Sequence, residues 1–229
     1  DIPLQQTRDL ALPYVYVGLR KPREESEGGG IATLTPDGLV DYFLNSAKSI
    51  VELNRVDLWM ESVTALQIDQ NFEDSRIADL VQRYRELGAT EDVTEAARKL
   101  FGTRLSSGHK IVLLTITRLV ETVVERSLVL LDEPEAHLHP PLLAAFVRAL
   151  SELLMKGNGV AIAATHSPVI LQEVPRECAW VVVRNGEDAH AIRPIRETFG
   201  ESVGLLTHDV FELELYESGF YQMIQNEVH

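Results

Sequence analysis

Apolar residues in this chain follow two different rhythms. From Asp37 to about Lys99 they recur at helical spacing: Leu39, Tyr42 and Phe43, then Leu53, Val56 and Leu58, then Ile77, Leu80, Val81, Tyr84 and Leu87. Gly88 stops the last run, since glycine ends helices readily. The pattern predicts several amphipathic helices. No heptad persists through three or four repeats, so a long coiled-coil arm is not expected.

Beyond residue 100 the rhythm alternates. Ile111 to Val124 reads as a strongly apolar helix, Ser127 to Leu131 as a buried strand, and Pro141 to Leu154 as a helix ending near Gly157. Val160 to Ala164 reads as a second buried strand, Pro168 to Leu171 as a short helix, and Ala179 to Val183 as a third strand. Continuous apolar strands separated by helices are what a parallel sheet covered on both faces requires. Upstream, Tyr14 to Leu19 reads as a strand, Lys21 to Gly30 as a turn, and Ile31 to Leu34 as the return of a hairpin. The expected class is α/β, a parallel-sheet core with a helical subdomain. Residues 1–36 should close an upstream lobe, 37–100 form the helical subdomain, 101–184 the core, and 185–229 a C-terminal extension.

Composition narrows the picture. With 229 residues, 45% of them hydrophobic, there is ample material for a core. No apolar run is long enough to span a membrane and no leader pattern is visible, so a cytoplasmic location is expected. The formal charge of −14 opposes broad attraction to nucleic acid, and Arg20, Lys21 and Arg23 make only a small basic cluster in a loop. Cys178, the single cysteine, is expected to be buried and inert.

Three short segments carry candidate chemistry. Leu128 to Leu131 lead into Asp132 and Glu133, two carboxylates at the carboxyl end of a strand, where open α/β sheets bind ligands. Asp132 suits a Mg²⁺ ion held through water, and Glu133 suits the base that activates a water. Leu105-Ser106-Ser107-Gly108-His109 stands just before an apolar helix, so that Ser106 can cap it and Gly108 can let the backbone approach a ligand at a phosphate-friendly helix start. His166 follows the second apolar strand in Ala163-Ala164-Thr165-His166-Ser167-Pro168, where its imidazole would stand beside Glu133.

In that order, Leu105 to His109 resembles the signature loop of ATP-binding-cassette ATPases, Leu128 to Glu133 their Walker B strand with its catalytic glutamate, and His166 their switch histidine. Asp132-Glu133-Pro134-Glu135-Ala136-His137-Leu138-His139-Pro140 is similar to the form found in RecF-like, OLD-like and related AAA/ABC ATPases. Tyr14 to Arg20 and Glu197 to Glu201 resemble PtuA-type ATPases of Septu and retron antiphage systems. The resemblance implies an ATPase using ATP and Mg²⁺, with Asp132 on the metal and Glu133 and His166 catalytic. It also implies a homodimer in which Ser106, Ser107 and Gly108 touch the γ-phosphate of the partner's ATP. An HNH-type nuclease would be the further partner, in retrons with a reverse transcriptase and its DNA, so that nucleic acid is met through the complex.

This chain departs from the family pattern in three places. Ser107 stands for the first of the usual paired glycines and His109 for the usual glutamine, while no Gly-x-x-x-x-Gly-Lys-Ser/Thr loop occurs. Together with the non-Met start, this suggests that an N-terminal lobe carrying that loop precedes the sequence. His137 and His139 beside Glu135 could also be read as zinc or manganese ligands, although a turn at the dimer interface explains them more simply. A DNA-repair ATPase and a scaffold that has lost ATP binding are the rival readings.

Overall fold

The computed structural model describes residues 15, 17, 20–22, 31–33, 35–186 and 188–216. Most of the strand expected at Tyr14 to Leu19 lies outside them, and Val15 and Val17 are in no strand. The return strand is where it was expected, but its partner is not: β2 (Ile31–Thr33) pairs antiparallel with β1 (Arg20–Pro22), which takes in Lys21 and Pro22 of the expected turn.

Helices follow: α1 (Pro36–Glu52), α2 (Val56–Leu66), α3 (Gln70–Ser75), α4 (Ile77–Leu87), α5 (Glu91–Lys99), and a π-helical turn at Leu100–Arg104. Local chemistry sets their ends. The Thr35 hydroxyl accepts from Gly38 N and Pro36 occupies the first turn of α1, while Asp69 caps α3 by accepting from Asn71 N and Phe72 N. Gly88 ends α4 at φ 68°, a left-handed conformation open to glycine. Then come α6 (Ser107–Thr122), β3 (Leu128–Asp132), α7 (Pro140–Lys156) and β4 (Val160–Ala164). Helix α6 begins three residues before Lys110, with Ser106 as its cap.

The chain divides into two units. The first comprises the described residues up to Leu131 together with Ala136–Ala163; the second comprises Asp132–Glu135 and the described residues from Ala164 onward. In the first unit α2 packs on α4, α6 and α7, and α1 on α6. Phe43, Trp59, Phe72, Leu113, Ile116, Leu142, Leu143 and Leu153 are fully buried there. The Phe43 ring meets Trp59 at 5.6 Å and Phe101 at 5.3 Å in tilted geometry. Inside this apolar mass one polar pair is satisfied: Trp59 Nε1–H donates to Thr117 Oγ1 at 3.1 Å. Thr117→Val keeps the volume but strands a buried indole N–H, which costs about 1–3 kcal/mol. Thermal unfolding of the variant should show a lowered Tm, and an unchanged Tm would mean the bond carries nothing.

Strands β3 and β4 pair in parallel, with Val160 N donating to Ser127 O and Glu133 N to Ala164 O, both at 2.9 Å. The chain is therefore mixed α/β with a parallel sheet, as its rhythm predicts. The strands are not buried as expected, however: Leu128, Leu130, Val160 and Ile162 are each more than half exposed. An apolar run specifies a strand suited to cover on both faces, and among the described residues one face of this pair has no covering layer.

In the second unit α8 (Pro168–Gln172) leads through a 3₁₀ turn at Arg176–Cys178 to β5 (Val181–Asn185), β6 (Asp188–Ile192) and α9 (Val203–Tyr216). The expected third parallel strand is corrected here, because β5 pairs antiparallel with β6 through a turn that contains Gly186 at φ 63°. Cys178 is exposed rather than buried. A small core of Leu171, Ala179 and Leu206, joined by Val210, holds the unit. The Glu197 carboxylate gathers the backbone N–H groups of Arg176, Thr198 and Phe199 at 2.9–3.1 Å. Those donors, chiefly Arg176 and Phe199, hold its carboxyl below the usual range.

Candidate functional site

The second unit holds Asp132, Glu133 and His166. Asp132 closes β3 and is exposed, and the next residue, Glu133, turns the chain at φ 45°. A glutamate in that left-handed region is strained by about 1–3 kcal/mol, a strain that concentrates at functional sites. Its amide is tied to Ala164 O at 2.9 Å, so the neighbouring strand end enforces the turn. The Glu133 carboxylate then lies 3.9 Å from His166 Nε2, with both side chains well exposed. At that separation one water or one phosphate oxygen can be held by both.

Glu135, which the sequence reading placed only among rival metal ligands, positions the histidine. Its Oε1 accepts from Thr165 Oγ1 at 2.8 Å and from His166 N at 2.7 Å, while Thr165 Oγ1 in turn accepts from Ser167 N. Its other oxygen is buried and has no hydrogen-bond partner among the described residues. The repeated acid in Asp-Glu-Pro-Glu was the available signal. A second carboxylate one residue beyond a proline turn faces back toward the strand that the turn leaves.

The signature-like loop belongs to the first unit. Ser106 caps α6 through its hydroxyl, which accepts from His109 N at 3.4 Å, and Lys110 N bonds to Ser106 O at 3.0 Å. Ser106 and Ser107 are exposed; Gly108 is not. A Cβ built on Gly108 would stand 2.9 Å from the carbonyl oxygen of His137 and 3.3 Å from side-chain carbons of Leu138 and Leu142. This corrects the expected reason for Gly108. The space left by its missing side chain is filled by the chain's own turn into α7, which leaves the two serines as the loop's outward groups.

Within the first unit His137 and His139 both serve the turn into α7. His139 Nδ1 caps α7 by accepting from Leu142 N at 3.4 Å, and His139 Nε2 lies 3.8 Å from Asp69 Oδ2. The left-handed backbone of His137, at φ 69°, makes the turn between Ala136 and α7.

Comparison with known proteins decides the family. Residues 21–172 match the family described as "AAA domain, putative AbiEii toxin, Type IV TA system". The chain belongs to this AAA family. The chain is also 45% identical over 230 residues to "Protein ea59" of Escherichia phage lambda, an alignment covering 94% of this chain and 42% of the relative. The chain thus spans less than half the length of that relative. Family membership makes nucleotide binding and ATPase activity, with ATP and Mg²⁺, the general expectation for this AAA domain. Among its described residues no helix is long and apolar enough to cross a membrane.

Proposed function

We propose that this AAA domain is the signature and Walker B half of an ABC-type ATPase that hydrolyses ATP between two copies and uses the cycle as a switch. The observation that carries the reading is the Glu133–His166 pair, two exposed groups 3.9 Å apart at the carboxyl ends of adjacent parallel strands. Its donor set fits the task. In hydrolysis a water oxygen attacks the γ-phosphorus, the bond to the β,γ-bridging oxygen breaks, and the proton of the water passes to Glu133. His166 holds a γ-phosphate oxygen or the water in line. Asp132, exposed at the end of β3, is the residue to hold Mg²⁺ through its water shell, and the ion when bound neutralises charge on the phosphate oxygens.

Ser106 and Ser107, turned outward at the start of α6, suit contact with the triphosphate of a second copy. The bare face of Leu128, Leu130, Val160 and Ile162 suits cover by a further lobe that would bring the phosphate loop. The helical segment forms five short helices, the longest with 17 residues, which does not favour the arm of a chromosome-organising ATPase. Retention of Glu133 and His166 in contact range speaks against an inert scaffold.

The switch belongs in antiphage defence, acting on an HNH-type nuclease and, in a retron, on a reverse transcriptase with its DNA. Support comes from the PtuA-like segments at Tyr14 to Arg20 and Glu197 to Glu201 and from a family description that names a toxin of a toxin–antitoxin system. With a charge of −14, this chain suits the control of a DNA-acting partner better than direct binding of DNA. Sedimentation of the full-length protein should show ATP converting monomer to dimer. A species indifferent to ATP would remove the dimeric switch, and phage protection that survives loss of Glu133 would remove the defence role.

A further inference from the structure

His109 stands where the signature loop ordinarily has glutamine, and its ring is the centre of a buried polar chain. Ser106 Oγ lies 2.6 Å from His109 Nδ1, and His109 Nε2 lies 2.9 Å from Asp69 Oδ1. His109 and Asp69 are 3% and 4% exposed, whereas Ser106 is exposed. The ring packs edge-on to Phe72 at 5.0 Å and against His139 at 5.5 Å.

Asp69, His109 and His139 bring three potential ligand atoms within 4.8 Å, yet the hydrogen bonds disfavour a metal. Asp69 Oδ1 already accepts from Asn71 N, Phe72 N and His109 Nε2. His139 Nδ1 accepts the cap bond from Leu142 N, so the proton of its neutral ring is on Nε2, the atom that would have to bind the ion. Both imidazoles therefore turn N–H groups toward Asp69.

The proton count along the chain has a consequence for Ser106. With Nε2–H donating to Asp69, a neutral His109 has a lone pair on Nδ1, and the 2.6 Å contact is filled by the hydroxyl proton of Ser106. The serine then turns only lone pairs outward and repels a phosphate oxygen. When Nδ1 takes a proton from solvent, the contact reverses. The Nδ1–H now donates to Ser106 Oγ, the hydroxyl proton rotates outward, and the positive ring is balanced by Asp69.

We infer that His109 is a proton-controlled positioning residue, which with Asp69 sets whether the hydroxyl of Ser106 can donate to the γ-phosphate of ATP. The inference rests on the nucleotide reading of the signature loop. The titratable groups facing the ring are the Asp69 carboxylate at the start of α3 and the His139 imidazole at the start of α7. Of the other elements packed on α6, α2 directs Arg55 to the carbonyls of Val120, Glu121 and Val123 at the far end, and α1 contributes buried Phe43 to the shared core. On α6 itself Lys110 is next in sequence, while Arg104 in the preceding turn donates to Ser75 O.

The sign follows from the proton count: the donating state carries one more proton than the other, so acid favours it and rising pH removes it. In the full-length protein, kcat/KM for ATP should therefore fall as pH is raised. His109→Gln supplies an amide donor that does not titrate and should flatten that limb, whereas Asp69→Asn, which keeps a capping residue but removes the counter-charge, should move it to lower pH. Calorimetry with a non-hydrolysable ATP analogue in buffers of different ionisation enthalpy should register uptake of about one proton per site above the limb, absent in His109→Gln. The same pH profile in His109→Gln as in the wild type overturns the inference. So does stoichiometric zinc in the purified protein that is lost in His139→Ala.

Should the full-length protein neither bind nor hydrolyse ATP, the nucleotide reading fails by itself. The relay is then read from histidine ¹⁵N shifts, which should show His109 Nδ1 unprotonated at high pH and protonated at low pH. An Nδ1 that carries the proton at high pH removes it.

Discussion

Glu133→Gln is expected to lower ATP turnover by about 10²–10⁴-fold, the range that a positioned general base contributes, while leaving ATP binding intact. The amide has nearly the shape of the carboxylate, so it can occupy the same strained turn, whose geometry is enforced by the bond from residue 133 N to Ala164 O. What it lacks is a basic oxygen to take the proton of the attacking water. The expected companion is accumulation of ATP-bound dimer, since hydrolysis is the step that releases the two copies. Single-turnover kinetics and sedimentation with ATP measure the two effects separately. Turnover at the wild-type rate would take Glu133 out of its role, whereas loss of both turnover and nucleotide binding would point to a collapsed turn. Far-ultraviolet circular dichroism and the Tm of the variant identify that case.

How much of this was legible beforehand depended on range. Elements with local signals read well: Ser106 before an apolar helix, the prolines opening α7 and Gly157 closing it, and acids at the end of an apolar strand. Glu133 and His166 were expected to meet because parallel neighbours end on the same side of a sheet, and they do lie 3.9 Å apart. The chain Ser106–His109–Asp69–His139 was not legible. Its members come from the loop before α6 and the starts of α6, α3 and α7, and no periodicity links caps on three different helices. Gly108 was misread for a related reason. A glycine beside a ligand and a glycine beside the chain's own backbone look identical until the neighbouring carbonyl, here that of His137, is in view. For Val181 to Val183 the apolar run predicts a strand but is silent on its partner, which Gly186 and the hairpin supply.

Ser106→Arg is the complementary expectation, and combined with the first it asks which copy contributes which half of the site. The side chain at 106 is exposed, so arginine can be accommodated in solvent; the lost cap costs about 1 kcal/mol and leaves the fold in place. A guanidinium in place of Ser106 should disable only the site that the loop faces and reduce turnover of the symmetric variant to the level of Glu133→Gln. If the serines of one copy serve the triphosphate held by the acids of the other, the two inactive proteins correct each other on mixing. In the mixed dimer one site pairs the intact Glu133 of the Ser106→Arg chain with the intact Ser106 of the Glu133→Gln chain, and the second site carries both lesions. Random pairing by two-fold symmetry, with independent sites, then returns about a quarter of the wild-type rate. Mixing that restores nothing, with mixed dimers shown to form, would mean that Ser106 and Glu133 act within one copy or that the loop does not face nucleotide. Recovery would require both residues to act on one triphosphate from opposite sides of the interface, because no other arrangement lets two defects in different chains cancel.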